Sequence, residues 1–228
     1  MTKRARPVVA IDGPAGAGKS SCALRLAQSL GFVLVDTGAL YRGVALSARE
    51  RGIPWTDGPA LGEHTRTLDL RFESGPTGSP LLFVDGVDRS GDIRTQEIAR
   101  GASDVSKHPE VRAALLGLQR RLGEDGGVVL EGRDIGTVVF PDAEVKIFLT
   151  AGVDVRGKRR YDELRARGEP ADLQKIIREI ADRDAQDAGR AVAPLRPAED
   201  SIVLDSSALP FDAVVEKLVA LVRAKSPG

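Results

Sequence analysis

Residues 13–20 carry the clearest chemistry in the sequence: they read Gly-Pro-Ala-Gly-Ala-Gly-Lys-Ser and directly follow the apolar run of residues 8–11. A strand, a glycine-rich loop and a Lys-Ser ending before a helix form the phosphate-binding P-loop pattern. The glycines let backbone N–H groups turn toward one anion, while the lysine reaches the β- and γ-phosphates and the serine hydroxyl suits Mg²⁺. An unliganded glycine-rich turn, the alternative, gives no structural reason for the Lys-Ser ending. We therefore predict a nucleoside triphosphate site formed by Gly13, Pro14, Ala15, Gly16, Ala17, Gly18, Lys19, Ser20 and Ser21.

Composition narrows the class of protein. Lysine plus arginine and aspartate plus glutamate number 33 each, so the chain lacks the net charge of a dedicated nucleic-acid binder. The sequence contains no asparagine, which removes the Asn-Lys-x-Asp guanine motif of GTP switches. One cysteine, Cys22, excludes an intramolecular disulfide and suits a reducing cytosol. The apolar run before Asp12 is about four residues, too short for a signal sequence or membrane span, so we expect a cytoplasmic protein with no membrane partner.

The elements that position these residues follow from apolar patterning. Short apolar runs without alternation indicate strands covered on both faces, at residues 8–11, 32–35, 128–130, 145–149 and 202–204. Helical periodicity lies between them, at residues 19–30, 39–50, 109–121, 155–167, 173–190 and 211–223. This alternation predicts an α/β fold with a five-stranded parallel sheet flanked by helices.

Residues 68–89 break the alternation. Two apolar runs flank a stretch rich in Gly, Ser and Pro, and a tight Asp85-Gly86 turn precedes a third short run. This order is typical of antiparallel strands joined by turns. We predict a small antiparallel β subdomain inserted into the parallel fold.

A second phosphate site is indicated by residues at the ends of two predicted strands. Thr37 is expected to cap the helix after the second strand, leaving free N–H groups for a substrate, with Arg42 about a turn and a half further on. A simple N-cap and a surface arginine are the alternative. Glu131 occupies the place of a Walker B acid that steadies Mg²⁺, and glycines flank the Arg133-Asp134 pair that follows, which allows close approach to a ligand.

Charged residues on two later helices extend this set. On the helix that begins near Leu173, the apolar face is followed by Arg183, Asp187 and Arg190. This change predicts that the second half of the helix borders a solvent-filled cleft. The alternative is a set of salt bridges at the end of the helix. The preceding helix is basic and contains Arg156, Arg159 and Arg160. Those arginines fit either a solvated face, which the residues alone favour, or a lid over phosphates.

Five segments carry a resemblance to a known family: residues 11–20, 36–42, 91–97, 132–141 and 190–195. Taken together they closely resemble the bacterial cytidylate kinase family. The run Gly-Arg-Asp-Ile-Gly-Thr-Val-Val-Phe-Pro is highly specific, whereas the P-loop alone is shared by many kinases, and the inserted antiparallel strands also match. The resemblance spans nearly the whole chain.

The resemblance implies a single kinase domain in three parts. The core covers about 1–65, 95–155 and 190–228, the monophosphate-binding insertion about 66–94, and a short helical lid about 156–189. It also assigns the acceptor nucleotide. Cytosine recognition falls to Ser103, Arg112 and Asp134, and the ribose to Arg183 and Asp187. A carboxylate with arginine and hydroxyl donors matches the edge of cytosine, whereas uracil sets its O4 acceptor against the carboxylate.

The acceptor phosphate falls to Arg42, Arg133 and Arg190. The implied reaction is ATP plus CMP or dCMP giving ADP plus CDP or dCDP, with Mg²⁺. Two alternatives stay open: a kinase for another small acceptor, and a nucleotide-binding module without turnover. No feature of the sequence calls for assembly, so we expect a monomer. Catalysis is assigned to cations that neutralise the transferred group, namely Lys19, Arg133, Arg156, Arg159 and Arg160, with Ser20 and Glu131 as metal ligands.

Overall fold

A computed structural model describes residues 4–76 and 78–225. The central sheet has five parallel strands in the order β2-β6-β1-β7-β8. They are β1 (Val8–Asp12), β2 (Val33–Asp36), β6 (Val128–Gly132), β7 (Val145–Thr150) and β8 (Ile202–Asp205). Every residue of β1 and β6 is buried, which explains their continuous apolar sequences. The predicted parallel sheet and all five predicted strands are confirmed.

Helices cover both faces of this sheet. The α-helices of the described residues are α1 (Lys19–Leu30), α2 (Thr37–Glu50), α3 (Gly58–Thr67), α4 (Gln96–Val105), α5 (Pro109–Arg121), α6 (Val153–Ala166), α7 (Leu173–Ala188) and α8 (Phe211–Lys225). On one face α1 and α8 bury Leu26 and Leu218 with Ile147 of β7. On the other face Leu130 packs with Phe140 from the segment after β6.

Two helices, α3 and α4, were not predicted. The first opens with Gly-Pro after the capping carboxylate Asp57, and the second is capped by the Thr95 hydroxyl, which accepts from Ile98 N. Both are only ten residues long and contain glycines, so their sequences do not show a clear helical spacing of apolar residues. α3 packs against α5 and α4 packs against α2. This packing stabilises the two short helices, which lack a strong local helix propensity.

The predicted insertion is a separate three-stranded antiparallel sheet in the order β3-β4-β5. Its strands are β3 (Leu70–Ser74), β4 (Pro80–Val84) and β5 (Val87–Asp88). Asp85 and Gly86 both have positive φ, 50° and 81°, as a tight hairpin turn requires. Leu82 and Val84 pack with Leu40 of α2, so the small sheet has a core in common with the helices beside the main sheet.

The strand order determines where ligands can bind. β6 lies between β1 and β2, and the segments that leave the carboxyl ends of β1, β2 and β6 begin at Gly13, Thr37 and Arg133. All the motifs that sequence analysis singled out at strand ends therefore lie at one edge of the sheet. Among the described helices, none combines the length and the apolar composition that a membrane span needs.

Candidate active site

The loop of residues 13–18 connects β1 to α1 in a conformation that depends on glycine. Gly13, Gly16 and Gly18 have φ values of 148°, 74° and 88°. A Cβ at Gly13 would overlap the carbonyl oxygen of Leu149, so glycine is required there for space as well as for conformation. The loop ends at the first turn of α1, whose free N–H groups are the anion-binding end of a helix.

Lys19, the first residue of α1, is buried with 6% of its surface exposed, and its Nζ donates to the carbonyl oxygen of Pro14 at 2.7 Å. Burial, with a smaller contribution from the nearby Arg133 guanidinium, lowers the pKa of Lys19 to about 7. Glu131 and Asp12 act in the opposite direction. The ammonium group is thus held where an added anion would stabilise its charged form.

ATP binding is expected to take up a proton at about pH 8. Lys19 is mostly neutral there when no ligand is bound, and polyphosphate raises its pKa, whereas ATP is already deprotonated because the second pKa of a phosphate group is about 6. Affinity should therefore fall as pH rises above about 7, where the free lysine loses its proton. Titration calorimetry in two buffers of different ionisation enthalpy measures the uptake. Equal heats in both buffers would contradict the shifted pKa.

Glu131, at the end of β6, faces the start of α1. Its Oε2 accepts from the Ser20 hydroxyl at 2.9 Å, while Oε1 is buried without a hydrogen-bond partner among the described residues. Burial and the nearby Asp36 raise the pKa of Glu131 above its usual range. A buried carboxylate with an unpartnered oxygen is suited to bind a cation. The Glu131 carboxylate and the Ser20 hydroxyl supply oxygen ligands, which Mg²⁺ prefers.

The start of α2 differs from the prediction for Thr37. The N-cap is Asp36, whose Oδ1 accepts from Ala39 N at 3.0 Å and whose Oδ2 pairs with Arg42 at 2.6 Å. Thr37 donates its hydroxyl to the carbonyl oxygen of Glu131 at 2.7 Å. The prediction that Thr37 caps the helix is therefore wrong, because the carboxylate one residue earlier reaches the free N–H groups and the threonine instead links α2 to β6.

Sequence analysis missed the role of Asp12, the last residue of β1. Its carboxylate accepts from the backbone N–H groups of Ile135 and Gly136 at 2.8 and 2.7 Å. These bonds hold the loop that carries Arg133 and Asp134 against the strand that leads into the P-loop. Burial raises the pKa of Asp12 to about 6, although both N–H groups lower it. An acidic residue at the end of a buried strand was the available signal.

Arginines from three elements meet around Asp187 of α7, which is 1% exposed. Arg133 Nε lies 2.9 Å from its carboxylate, and Arg190 also pairs with it. Burial alone would raise the pKa of Asp187, but these two guanidinium groups outweigh burial and lower it. Burial lowers the pKa of Arg183 to about 10, and Arg133 contributes. The Nε atoms of Arg42, Arg183 and Arg190 are buried without a hydrogen-bond partner in the described part of the chain, so this cluster has unused donors for an anion.

The predicted base-reading residues lie beside this cluster. Arg112 of α5 and Asp134 are both buried and form an ion pair, and the Arg112 guanidinium lies 5.6 Å from the centroid of the Tyr41 ring. Ser103 of α4 accepts from Gln186 Nε2 at 2.7 Å through its hydroxyl oxygen. A carboxylate and a guanidinium therefore come together, two of the groups that reading of a polar base edge uses, whereas the Ser103 hydroxyl is bonded to Gln186.

The three arginines of α6 that sequence analysis assigned to catalysis have different surroundings. Arg156 is buried: its Nε donates to Ala151 O at 2.7 Å, its Nη1 donates to Ala15 O at 2.9 Å, and its Nη2 pairs with Asp184 at 2.6 Å. The solvated-face interpretation is therefore wrong for Arg156, because the P-loop and α7 enclose it.

The other two arginines face the cavity. Arg159 donates to Ser206 O at 2.7 Å and Arg160 to Glu163 at 2.7 Å. Both line the cavity between the P-loop and the arginine cluster, whereas Arg156 does not.

One cavity of about 890 Å³ joins the P-loop to the arginine cluster. Its lining includes Lys19, Glu131, Asp134, Arg183 and Arg190. Ser103 lines the adjoining space between α4 and α7. The predicted cleft at the charged end of α7 is confirmed. The structure thus brings the two predicted phosphate sites to opposite sides of one opening.

A parallel sheet with a P-loop at its carboxyl edge and a facing group of arginines defines a P-loop phosphotransferase. More narrowly, the chain belongs to the cytidylate kinase family, whose family model matches residues 9–224. A cytidylate kinase from Geobacter sp. (strain M21) is 50% identical over 218 residues, which cover 96% of this chain and 93% of that protein. A cytidylate kinase from Syntrophotalea carbinolica is 50% identical over 215 residues, 94% of this chain and 91% of that protein.

Proposed function

We propose that this protein transfers the γ-phosphoryl group of ATP to CMP or dCMP, giving ADP and CDP or dCDP. The observation that carries the proposal is the single cavity lined both by the P-loop lysine and by the arginine cluster. A module that only binds a nucleotide has no need of a second phosphate site. Membership of the cytidylate kinase family supports CMP as the acceptor.

The acceptor phosphate is assigned to Arg42, Arg133 and Arg190. Two of them have buried Nε atoms free to donate, and all three are held by a carboxylate, Asp36 or Asp187, that keeps their planes in place. Guanidinium groups match phosphate oxygens in pairs, which fixes direction as well as distance. These residues would aim an acceptor oxygen toward the side of the cavity where Lys19 lies.

The cytosine base is assigned to Asp134, Arg112 and Ser103. Arg112 engages one oxygen of the Asp134 carboxylate, Oδ2, so Oδ1 is available to accept from the exocyclic amine of cytosine. Uracil presents an oxygen at that position, and an unmatched buried polar group costs roughly 1–3 kcal/mol. The ribose is assigned to Arg183 and Asp187.

The chemistry needs no general base, because the acceptor is itself a phosphate whose second pKa is about 6. Catalysis would come from alignment and from cations around the transferred group: Lys19, Arg133, Arg159 and Arg160. Arg156, assigned to the same task from sequence, uses all its nitrogens on the P-loop carbonyl, Ala151 and Asp184 in this structure.

Mg²⁺ would be held by Ser20 and Glu131, the residues whose oxygen atoms lie together beside the P-loop. When bound, the ion neutralises charge on the phosphates. Glu131 contributes a carboxylate oxygen with no other partner, and Ser20 orients it.

The division into parts follows the elements. The insertion of about 66–94 contains β3 to β5, and the lid of about 156–189 contains most of α6 and all of α7. We propose that these parts close over the acceptor and the donor, while the main sheet stays fixed. A monomeric state, no nucleic-acid partner and a cytoplasmic location complete the proposal; the single cysteine, Cys22, is buried, which suits a reducing compartment.

The proposal is tested by ADP release with ATP and, in turn, CMP, dCMP, UMP, AMP, GMP and shikimate. We expect turnover with CMP and dCMP, and much slower turnover with UMP. Equal rates with CMP and UMP would contradict the assigned base site. ATP binding without turnover of any acceptor would instead favour the nucleotide-binding module.

A further inference from the structure

Ser106 lies directly after α4, where the chain turns toward α5. It is 6% exposed, and it lines the cavity between the P-loop and the arginine cluster. Ser106 belongs to none of the sequence motifs, and it is not among the residues proposed to bind either nucleotide. Its contacts, however, reach three of the proposed substrate-binding residues.

The hydroxyl of Ser106 makes two of these contacts. It donates to the carbonyl oxygen of Ser103 at 2.9 Å and accepts from Arg190 Nη2 at 3.0 Å. The backbone carbonyl of Ser106 accepts from Arg112 Nη1 at 3.4 Å. One residue therefore contacts the backbone of Ser103 and the side chain of Arg112, both assigned to the base, and the side chain of Arg190, assigned to the phosphate.

The hydroxyl is placed to orient these groups. A serine hydroxyl has one proton to donate, and here that proton is used within α4. Arg190 is bonded to Ser106 and to Asp187, three residues earlier in the chain. Ser106 is thus the contact that ties Arg190 to a different part of the fold, on the side where the base would lie.

We propose that Ser106 is a positioning residue for the acceptor nucleotide, holding the phosphate-binding Arg190 in register with the base-reading Ser103 and Arg112. This inference rests on the proposed function. It predicts that loss of the hydroxyl weakens acceptor binding and leaves donor binding unchanged, because the hydrogen bonds that Ser106 makes among the described residues go to the acceptor side and not to the P-loop.

The test is Ser106→Ala in the full chain, with KM for CMP and for ATP measured separately. Because the variant loses the hydrogen bond between the Ser106 hydroxyl and the charged Arg190, we expect KM for CMP to rise about tenfold. KM for ATP should stay within about twofold of the wild-type value. Ser106→Thr keeps the hydroxyl and should restore most of the CMP affinity. A thermal midpoint for each variant shows that it is folded.

Ser47→Ala is the matched control. Ser47 is also 6% exposed, and its hydroxyl bonds to His64 Nε2 at 3.0 Å, away from the cavity. This variant should lose stability without changing either KM. An unchanged KM for CMP in Ser106→Ala, or equal rises for CMP and ATP, would overturn the inference. Wild-type protein that fails to phosphorylate CMP would instead refute the proposed function, so the two failures are distinguishable.

Discussion

Replacement of Lys19 by methionine is expected to lower kcat for phosphoryl transfer by about 10³-fold, in line with removing one preorganised charge from the transferred group. Methionine has a similar length and fills the same space without the ammonium. The fold should tolerate this change, because burial already lowers the pKa of Lys19. Below about pH 7, where Lys19 is charged in the folded protein too, burial of the charge lowers the free energy of unfolding by its full amount. This loss shrinks as pH rises and disappears above the ordinary pKa of lysine. The variant should therefore be at least as stable as wild type at neutral pH.

The measurement is steady-state ADP release with saturating ATP and CMP, together with a thermal midpoint. Lys146→Met is a close control: Lys146 is also 6% exposed, and its Nζ donates to the carbonyl oxygen of Pro141. It also pairs with Asp200, and neither residue lines the cavity of the proposed site, so loss of this lysine should reduce stability and spare kcat. A kcat for Lys19→Met within tenfold of wild type would exclude the P-loop mechanism.

Substitution of Asp134 by alanine is expected to reduce kcat/KM for CMP by about 10²-fold and for UMP by much less. The carboxylate would accept from the amine that cytosine has and uracil lacks. Its removal also leaves Arg112 buried without its partner, which costs stability and activity with either nucleotide. The ratio of the two kcat/KM values isolates base reading, because a general structural loss lowers both together.

A second variant separates the two effects further. Arg112→Met removes the other half of the buried pair and leaves the carboxylate in place. It should therefore weaken the binding of both nucleotides but preserve more of the preference for CMP over UMP than Asp134→Ala does. A uniform loss for CMP and UMP in Asp134→Ala would count against base reading by this carboxylate.

The sequence predicted the fold well where local pattern decides structure. The P-loop spacing and the first helix agree with the observed bounds of α1, and the Asp85-Gly86 turn forms the expected hairpin. The Arg133-Asp134 pair was recognised because its glycines and charges stand together in sequence. Each of these signals lies within a few residues.

Contacts between distant segments were not predictable in the same way. Thr37 bonds to the Glu131 carbonyl oxygen instead of capping α2, and Arg156 faces the P-loop instead of solvent, because each depends on what the rest of the fold places nearby. Asp12 acts through backbone N–H groups of another segment, and the backbone carbonyl of Ser106 accepts from Arg112. A carbonyl or an N–H group is present at nearly every position, so no residue pattern marks the one that will be used.

The position of β1 in the sheet also has a consequence for the order in which the protein becomes active. Val8 pairs with Val128 and Val9 with Val145, so both neighbours of the strand that carries the P-loop come from the second half of the chain. Pairings between such distant residues form slowly, because a long loop must close before they gain any contact. During synthesis the glycine-rich motif emerges early, but its flanking strands are complete only once residue 150 has been made. Nucleotide affinity is therefore a property of the finished core, and an N-terminal fragment that contains the whole motif should bind ATP poorly.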